Sequence, residues 1–150
     1  MFFCYKKKHT QESTPKITWN FLKQFHIMNP PSITLNRKSI VDRNYKLLKL
    51  YLKNNNININ NFITNKFFGY KNKFKEYRFI KNEFPYYVEN HINHHILWIN
   101  PNIANIFDNT KIIDLVNKIL NNKKYIIFKN QNNNLSVSQI IHYHIFFKNE

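Results

Sequence analysis

Apolar residues recur every three to four positions in the first half of the chain and at alternate positions in much of the second. Ile17, Phe21 and Phe25 stand four apart with Leu22 beside them, the spacing of one helix face. Thr14-Pro15 reads as a helix cap followed by proline at the first helical position, where its missing N–H costs nothing. Asn29-Pro30-Pro31 ends that short helix. A stronger stripe follows in Val41, Tyr45, Leu48 and Leu52, flanked by Ile40, Leu47 and Tyr51, with Lys46, Lys49 and Lys53 outside it. Ser39 stands where a cap belongs, and Asp42 can meet the exposed N–H groups of the first turn. Asn54 to Asn61 is a low-complexity break, and a third short helix is predicted over 62–67, ending near Gly69.

After Lys75 the period shortens. Residues 77–80 and 94–99 read as strands separated by the turn-prone segment 85–93. Asp108 or Thr110 can cap a helix carrying Ile112, Val116, Ile119 and Leu120. Residues 125–128 and 140–147 read as two more strands, joined by an Asn-rich loop. The expected fold class is α+β, with N-terminal helices packed on a largely antiparallel four-stranded sheet and one inserted helix. The expected organisation is a frayed stretch over 1–13 and a single domain over 14–150. Within it, 14–70 is helical and 76–148 runs β-β-α-β-β. Phe21, Tyr45, Leu48, Ile96, Trp98 and Ile145 are among the core positions this pattern selects.

Composition changes the picture in three ways. At 43% apolar the 150 residues can build a core, which excludes simple disorder. There are 27 Asn, 21 Ile and 20 Lys against one Ala and one Gly, the bias of an AT-rich genome. The single Gly excludes a glycine-rich phosphate loop, and the single Cys, Cys4, excludes a disulfide framework and a multi-cysteine zinc site. Cys4 reads as structural or surface. No apolar run approaches the roughly 20 residues of a membrane span, and the five residues before the first lysines are too few for a signal peptide. The expectation is an intracellular, cytoplasmic protein with no membrane partner.

The net charge of +15 is unevenly spread. Residues 1–75 hold 15 basic residues against Glu12 and Asp42, and residues 76–150 hold 8 against 6 acidic ones. One reading is contact with nucleic acid or another acidic partner. The other is lysine supplied by genome bias on solvated helix faces. Only 3 of the 23 basic residues are Arg, the residue preferred for bidentate phosphate contacts. The lysines also read as scattered, without an interleaved row of exposed aromatics, which leans against nucleic acid.

The candidate chemistry sits in the last strand. In Ile140-Ile141-His142-Tyr143-His144-Ile145-Phe146-Phe147, alternation puts His142 and His144 on one face with Ile140 and Phe146. Two imidazoles about 6.5 Å apart along a strand can converge on one ion or one phosphate. His94, on the face of its strand that also carries Ile96 and Trp98, is the third candidate catalytic histidine.

Three readings stay open. A metal held by His142 and His144 would need a third ligand, His94 or Glu83, and an orienting partner. A phosphate or nucleotide site would use one His on phosphorus and its neighbour to orient it. The plain structural alternative is partly buried histidines satisfied by backbone or Asn groups. Glu83 is either a general base or an exposed carboxylate in a turn. Lys129 and Asn130 can bind a phosphate oxygen or simply end a strand. Tyr86, Trp98 and Ser136 complete the candidate ligand-binding set. The sequence leaves the cofactor unknown. A phosphorylated small molecule is the expected ligand.

Several motifs together carry a resemblance. Phe79-Ile80-Lys81-Asn82-Glu83-Phe84-Pro85-Tyr86 resembles an aromatic-Pro-Tyr block. Ile92-Asn93-His94 followed by Trp98 resembles an Ile-x-His-x-x-x-Trp strand. Ile127-Phe128-Lys129-Asn130, Leu135-Ser136-Val137 and His142-Tyr143-His144-Ile145 resemble three later blocks, and Trp19, Arg37, Ser39 and Tyr45 match the helical part. Over residues 17–148 the chain resembles the N-acetylglucosamine-induced protein family, a fungal domain of unknown function with relatives in giant viruses. The resemblance implies the fold and the site residues above, while the family name reports induction by a sugar rather than a reaction. The family usually has Trp at Phe84, Gly at Tyr87, Trp at Gln131 and Glu at Ile141. The order of elements is also similar, at the level of fold, to histidine-triad nucleotide-binding proteins, although Phe146 or Ile140 takes the place of their third histidine.

Overall fold

A computed structural model of the chain describes residues 14–131 and 137–148. The expected fraying of 1–13, Cys4 and Ser136 fall outside the described residues. Three helices come first: α1 (Trp19–Leu22), α2 (Ser39–Asn54) and α3 (Ile59–Phe68). Strands β1 (Tyr77–Lys81) and β2 (Ile92–Ile99), helix α4 (Asn109–Ile119), and strands β3 (Tyr125–Phe128) and β4 (His142–Lys148) follow. The fold is α+β, with an open sheet in the order β1-β2-β4-β3 whose ladders are all antiparallel.

The register decides what each face carries. Trp98 lies opposite His142, Ile96 opposite His144 and His94 opposite Phe146. Phe128 lies opposite His144 and Ile126 opposite Phe146. Directly opposed side chains share a face, so His94, His142 and His144 share theirs with Trp98, Ile126, Phe128 and Phe146. Leu97, Ile99, Ile127, Tyr143 and Ile145 face the other way. There they meet Ile112, Val116 and Leu120 of the α4 region in a buried apolar cluster. Asp108 starts α4 by accepting from the Lys111 N–H at 2.8 Å.

Helix starts and caps differ from the sequence expectation at three helices. Thr18, not Thr14, caps α1, because Ile17 is held extended by a parallel bridge to Val88. With Ile17 outside the helix, the four-residue spacing fails and Phe21 is 38% exposed rather than core. In α2, Ser39 is the first helical residue and Lys38 precedes it without a side-chain cap bond. Asp42 pairs instead with Lys46 at 2.7 Å. Helix α3 starts earlier than expected because Asn58 accepts from the Asn60 and Asn61 N–H groups. The polar Asn-rich break therefore contains a helix cap.

Of the α2 stripe, only Leu52 is buried. Tyr45 and Leu48 are half-buried, as is Val41. Tyr45 and Leu48 wall a cavity rather than a closed core.

Candidate functional site

The cavity, about 370 Å³, lies over the histidine face of the sheet. Its floor is Ile96, Trp98, His142 and His144. Tyr45, Leu48 and Lys49 from α2 and Ile59, Phe62 and Ile63 from α3 close it from above. Arg37, Phe84, Tyr86 and Asn130 come from segments between elements. Among the described residues the lining holds two cations, Arg37 and Lys49, and no carboxylate.

The histidines are close together. Ring centroids of His94 and His144 are 5.2 Å apart and those of His142 and His144 5.9 Å. His94 sits behind the cavity wall, stacked between Tyr86 (5.0 Å) and Phe146 (4.3 Å). Its ring accepts at Nδ1 from the Tyr86 backbone N–H at 3.1 Å. A backbone N–H can only donate, so Nδ1 carries the lone pair and Nε2 carries the proton. Nε2–H then donates to His144 Nδ1 at 2.9 Å. His144 in turn must hold its proton on Nε2.

This fixes Asn130. One terminal atom of its amide lies 3.1 Å from His144 Nε2 and 2.9 Å from the Tyr86 hydroxyl oxygen. A nitrogen there would donate to a ring nitrogen already holding a proton. The amide oxygen belongs there, accepting from both Nε2–H and the Tyr86 O–H. The hydrogen bonds thus run from the Tyr86 backbone through His94, His144 and Asn130 to the Tyr86 hydroxyl, a closed ring. Asn82 lies beside this ring without joining it, because its Nδ2 and the proton-bearing His94 Nε2 are both donors. Its Oδ1 accepts from the Phe84 N–H at 3.0 Å and its Nδ2 lies 3.3 Å from His94 Nε2.

His142 is set differently. Its Nδ1–H donates to the Ile140 carbonyl at 2.8 Å, and its ring stacks on Trp98 at 4.6 Å. Nε2 therefore carries the lone pair, and among the described residues it has no hydrogen-bond partner. Burial pulls all three histidines below the usual histidine range. For His144 the neighbouring His94 and His142 add to it, and for His94 the Arg37 charge does. His142 is thus a neutral acceptor in the wall of a cavity that also presents cations.

Arg37 is held in place from two sides. Its Nε donates to the Phe84 carbonyl at 3.0 Å, and its guanidinium lies over the rings of Tyr45 (4.6 Å) and Tyr86 (5.1 Å). That leaves the terminal nitrogens of a preoriented fork, suited to a carboxylate or phosphate.

The sequence candidates separate accordingly. His142, His144, Tyr86, Trp98 and Asn130 meet at the cavity, and His94 supports them from behind. Glu83 does not join them. Both of its carboxylate oxygens bind Lys66, at 2.6 and 2.7 Å, outside the cavity. Lys129 is exposed and absent from the lining, acting on His142 through its charge alone. Among the described residues no group of three or more His, Cys, Asp or Glu side chains is arranged to hold a metal. The hydrogen-bond ring explains this, since it occupies every nitrogen of His94 and His144. Arg37, Tyr45 and Lys49 were missed as site residues. The available signal was the rarity of Arg in a lysine-rich chain and the placing of Arg37 and Tyr45 in the resemblance.

A protein-family comparison matches residues 18–148 to a family described as "Protein of unknown function (DUF3605)". No curated protein matches. A solved structure described as "Crystal Structure of HTC1" is similar over 77% of each chain, at 17% identity and a TM-score of 0.55. At that identity the likeness concerns the fold alone. Among the described residues, no helix is long and apolar enough to cross a membrane.

Proposed function

This chain belongs to the DUF3605 family of proteins of unknown function, and from that premise we propose that it binds a small phosphorylated molecule in the cavity between the sheet and helices α2 and α3. One observation carries the reading: among the described residues, the cavity joins Arg37 and Lys49 to an Nε2 of His142 without a hydrogen-bond partner, and its lining holds no carboxylate. Cations without neighbouring acids favour an anion, and phosphate matches the guanidinium fork. Aromatic and aliphatic walls suit the face of a sugar or a base. Phosphorylated sugars and nucleotides both combine a phosphate with such a face.

The same geometry suits hydrolysis or transfer at phosphorus. The His142 Nε2 pair forms a bond to phosphorus. The leaving oxygen departs with the electrons of the broken P–O bond and takes a proton from water. Water or an acceptor hydroxyl then bonds to phosphorus and releases its proton to solvent, and the P–N electrons return to Nε2. Throughout, Nδ1–H stays on the Ile140 carbonyl and stabilises the cationic ring.

Thermal-shift titration with N-acetylglucosamine phosphates, other hexose phosphates, nucleoside monophosphates and orthophosphate tests the binding. The expected result is a raised Tm with at least one phosphorylated compound, reduced in Lys49→Ala and Arg37→Gln. A Tm unmoved by every phosphorylated compound overturns the reading.

A further inference from the structure

Among the described residues, the two most exposed large apolar side chains stand four apart in sequence. Tyr70 is 90% and Phe74 88% exposed. They lie in Gly69-Tyr70-Lys71-Asn72-Lys73-Phe74-Lys75, where every second residue from 71 to 75 is lysine. The Lys73 ammonium stands between the rings, 5.7 Å from the Tyr70 centroid and 4.8 Å from that of Phe74. This contradicts the sequence expectation that the lysines lack interleaved exposed aromatics.

The backbone here is pinned. Asn100, 3% exposed, donates its side-chain amide to the carbonyls of Lys73 (3.2 Å) and Lys75 (2.9 Å). Its backbone N–H donates to the Glu76 carbonyl at 2.9 Å. The Asn72 N–H bonds the Gly69 carbonyl, and the Lys75 N–H bonds the Asn72 carbonyl. A loop fixed from inside holds the two rings out in water, where each costs solvation free energy until something covers it.

We propose that residues 70–75 form a contact for single-stranded nucleic acid, with Tyr70 and Phe74 stacking on bases and Lys71, Lys73 and Lys75 meeting phosphates. Aromatic faces interleaved with cations are what a flexible polyanion with planar bases requires, and no base sequence need be read. A lipid surface fits less well. Neither ring could enter hydrocarbon without carrying the Lys73 ammonium with it, and residues 69–76 contain no Leu, Ile, Val or Trp to anchor it. A second copy of the chain is disfavoured by the net charge of +15. This inference does not depend on the cavity or its ligand.

Fluorescence anisotropy with a labelled 12-nucleotide oligo-uridine tests it on the full chain, with a duplex of the same length and phosphatidylserine vesicles as comparisons. Binding is expected, tighter to the single strand than to the duplex. Tyr70→Ala/Phe74→Ala is expected to weaken it about tenfold or more while leaving the slope of affinity against salt unchanged. Lys71→Gln/Lys73→Gln/Lys75→Gln is expected to flatten that slope. All five side chains are at the surface, and circular dichroism confirms that the variants fold. The proposal is overturned if the aromatic variant binds like wild type, if duplex binds as tightly, or if only the vesicles bind in a Tyr70- and Phe74-dependent way.

Discussion

His94 Nε2 and His144 Nδ1 lie 2.9 Å apart, and the direction of the proton between them is set by the backbone N–H of Tyr86. Both rings are buried and neutral, and protonating either one would break a hydrogen bond inside the fold. Each has a folded-state pKa below its unfolded value, so the unfolded chain binds more protons under mildly acidic conditions. Stability therefore falls as pH drops below about 6.5, where unfolded histidine begins to charge, at up to about 1.4 kcal/mol per pH unit for each histidine. His142, also lowered by burial, adds to the slope. Denaturant unfolding at pH 7.5 and pH 5 is expected to show the loss. Equal stability at both would mean the rings accept protons without cost.

The orientation of Asn130 separates two substitutions. Asn130→Ala leaves the Tyr86 O–H and His144 Nε2–H without an acceptor in a buried site, costing roughly 1–3 kcal/mol. Asn130→Asp restores an acceptor for both and raises the His144 pKa by pairing its charged form. Unfolding free energies of the two variants decide between oxygen and nitrogen. Greater damage from Asp than from Ala would place the amide nitrogen at the contact.

Gly69 ends α3 close against the preceding turn. A Cβ there would collide with the Asn65 carbonyl, a backbone group that cannot move aside cheaply. Gly69→Ala is expected to cost about 1–3 kcal/mol, by analogy with overpacking in a core. A Tm equal to wild type would show that the α3 terminus relaxes freely.

Asp108→Ala removes the acceptor for the Lys111 N–H at the start of α4. About 1 kcal/mol is expected to be lost. Asp108→Ser, which keeps an acceptor, is expected to recover most of it in the same unfolding measurement.

The legible parts of this fold were those governed by short-range periodicity. Alternation along β4 put His142 and His144 on one face, and the helical repeat in α4 put Ile112 and Val116 on another. Contacts between distant residues decided the rest. Ile17 was drawn out of α1 by Val88, far along the chain, which moved the cap to Thr18 and exposed Phe21. Arg37 owes its orientation to a carbonyl 47 residues away, which no local pattern encodes. Glu83, plausible as a base from its neighbourhood, was claimed by Lys66 from α3. The pinning of the 70–75 loop by Asn100 is a further case, since an asparagine among 27 looked like genome bias.

The central claim is that Arg37 and the free Nε2 of His142 serve one phosphorylated ligand. Histidine-ring nitrogen NMR, recorded during titration with N-acetylglucosamine 6-phosphate, hexose phosphates and nucleoside monophosphates, tests it most directly. In the free protein His142 is expected to appear as the neutral Nδ1–H tautomer. A saturable shift of its Nε2 is expected with at least one of these compounds, with His94 keeping its tautomer and the response weakened at least tenfold in Arg37→Gln. An Nε2 signal that ignores every phosphorylated compound, or responds equally well in Arg37→Gln, would contradict the account.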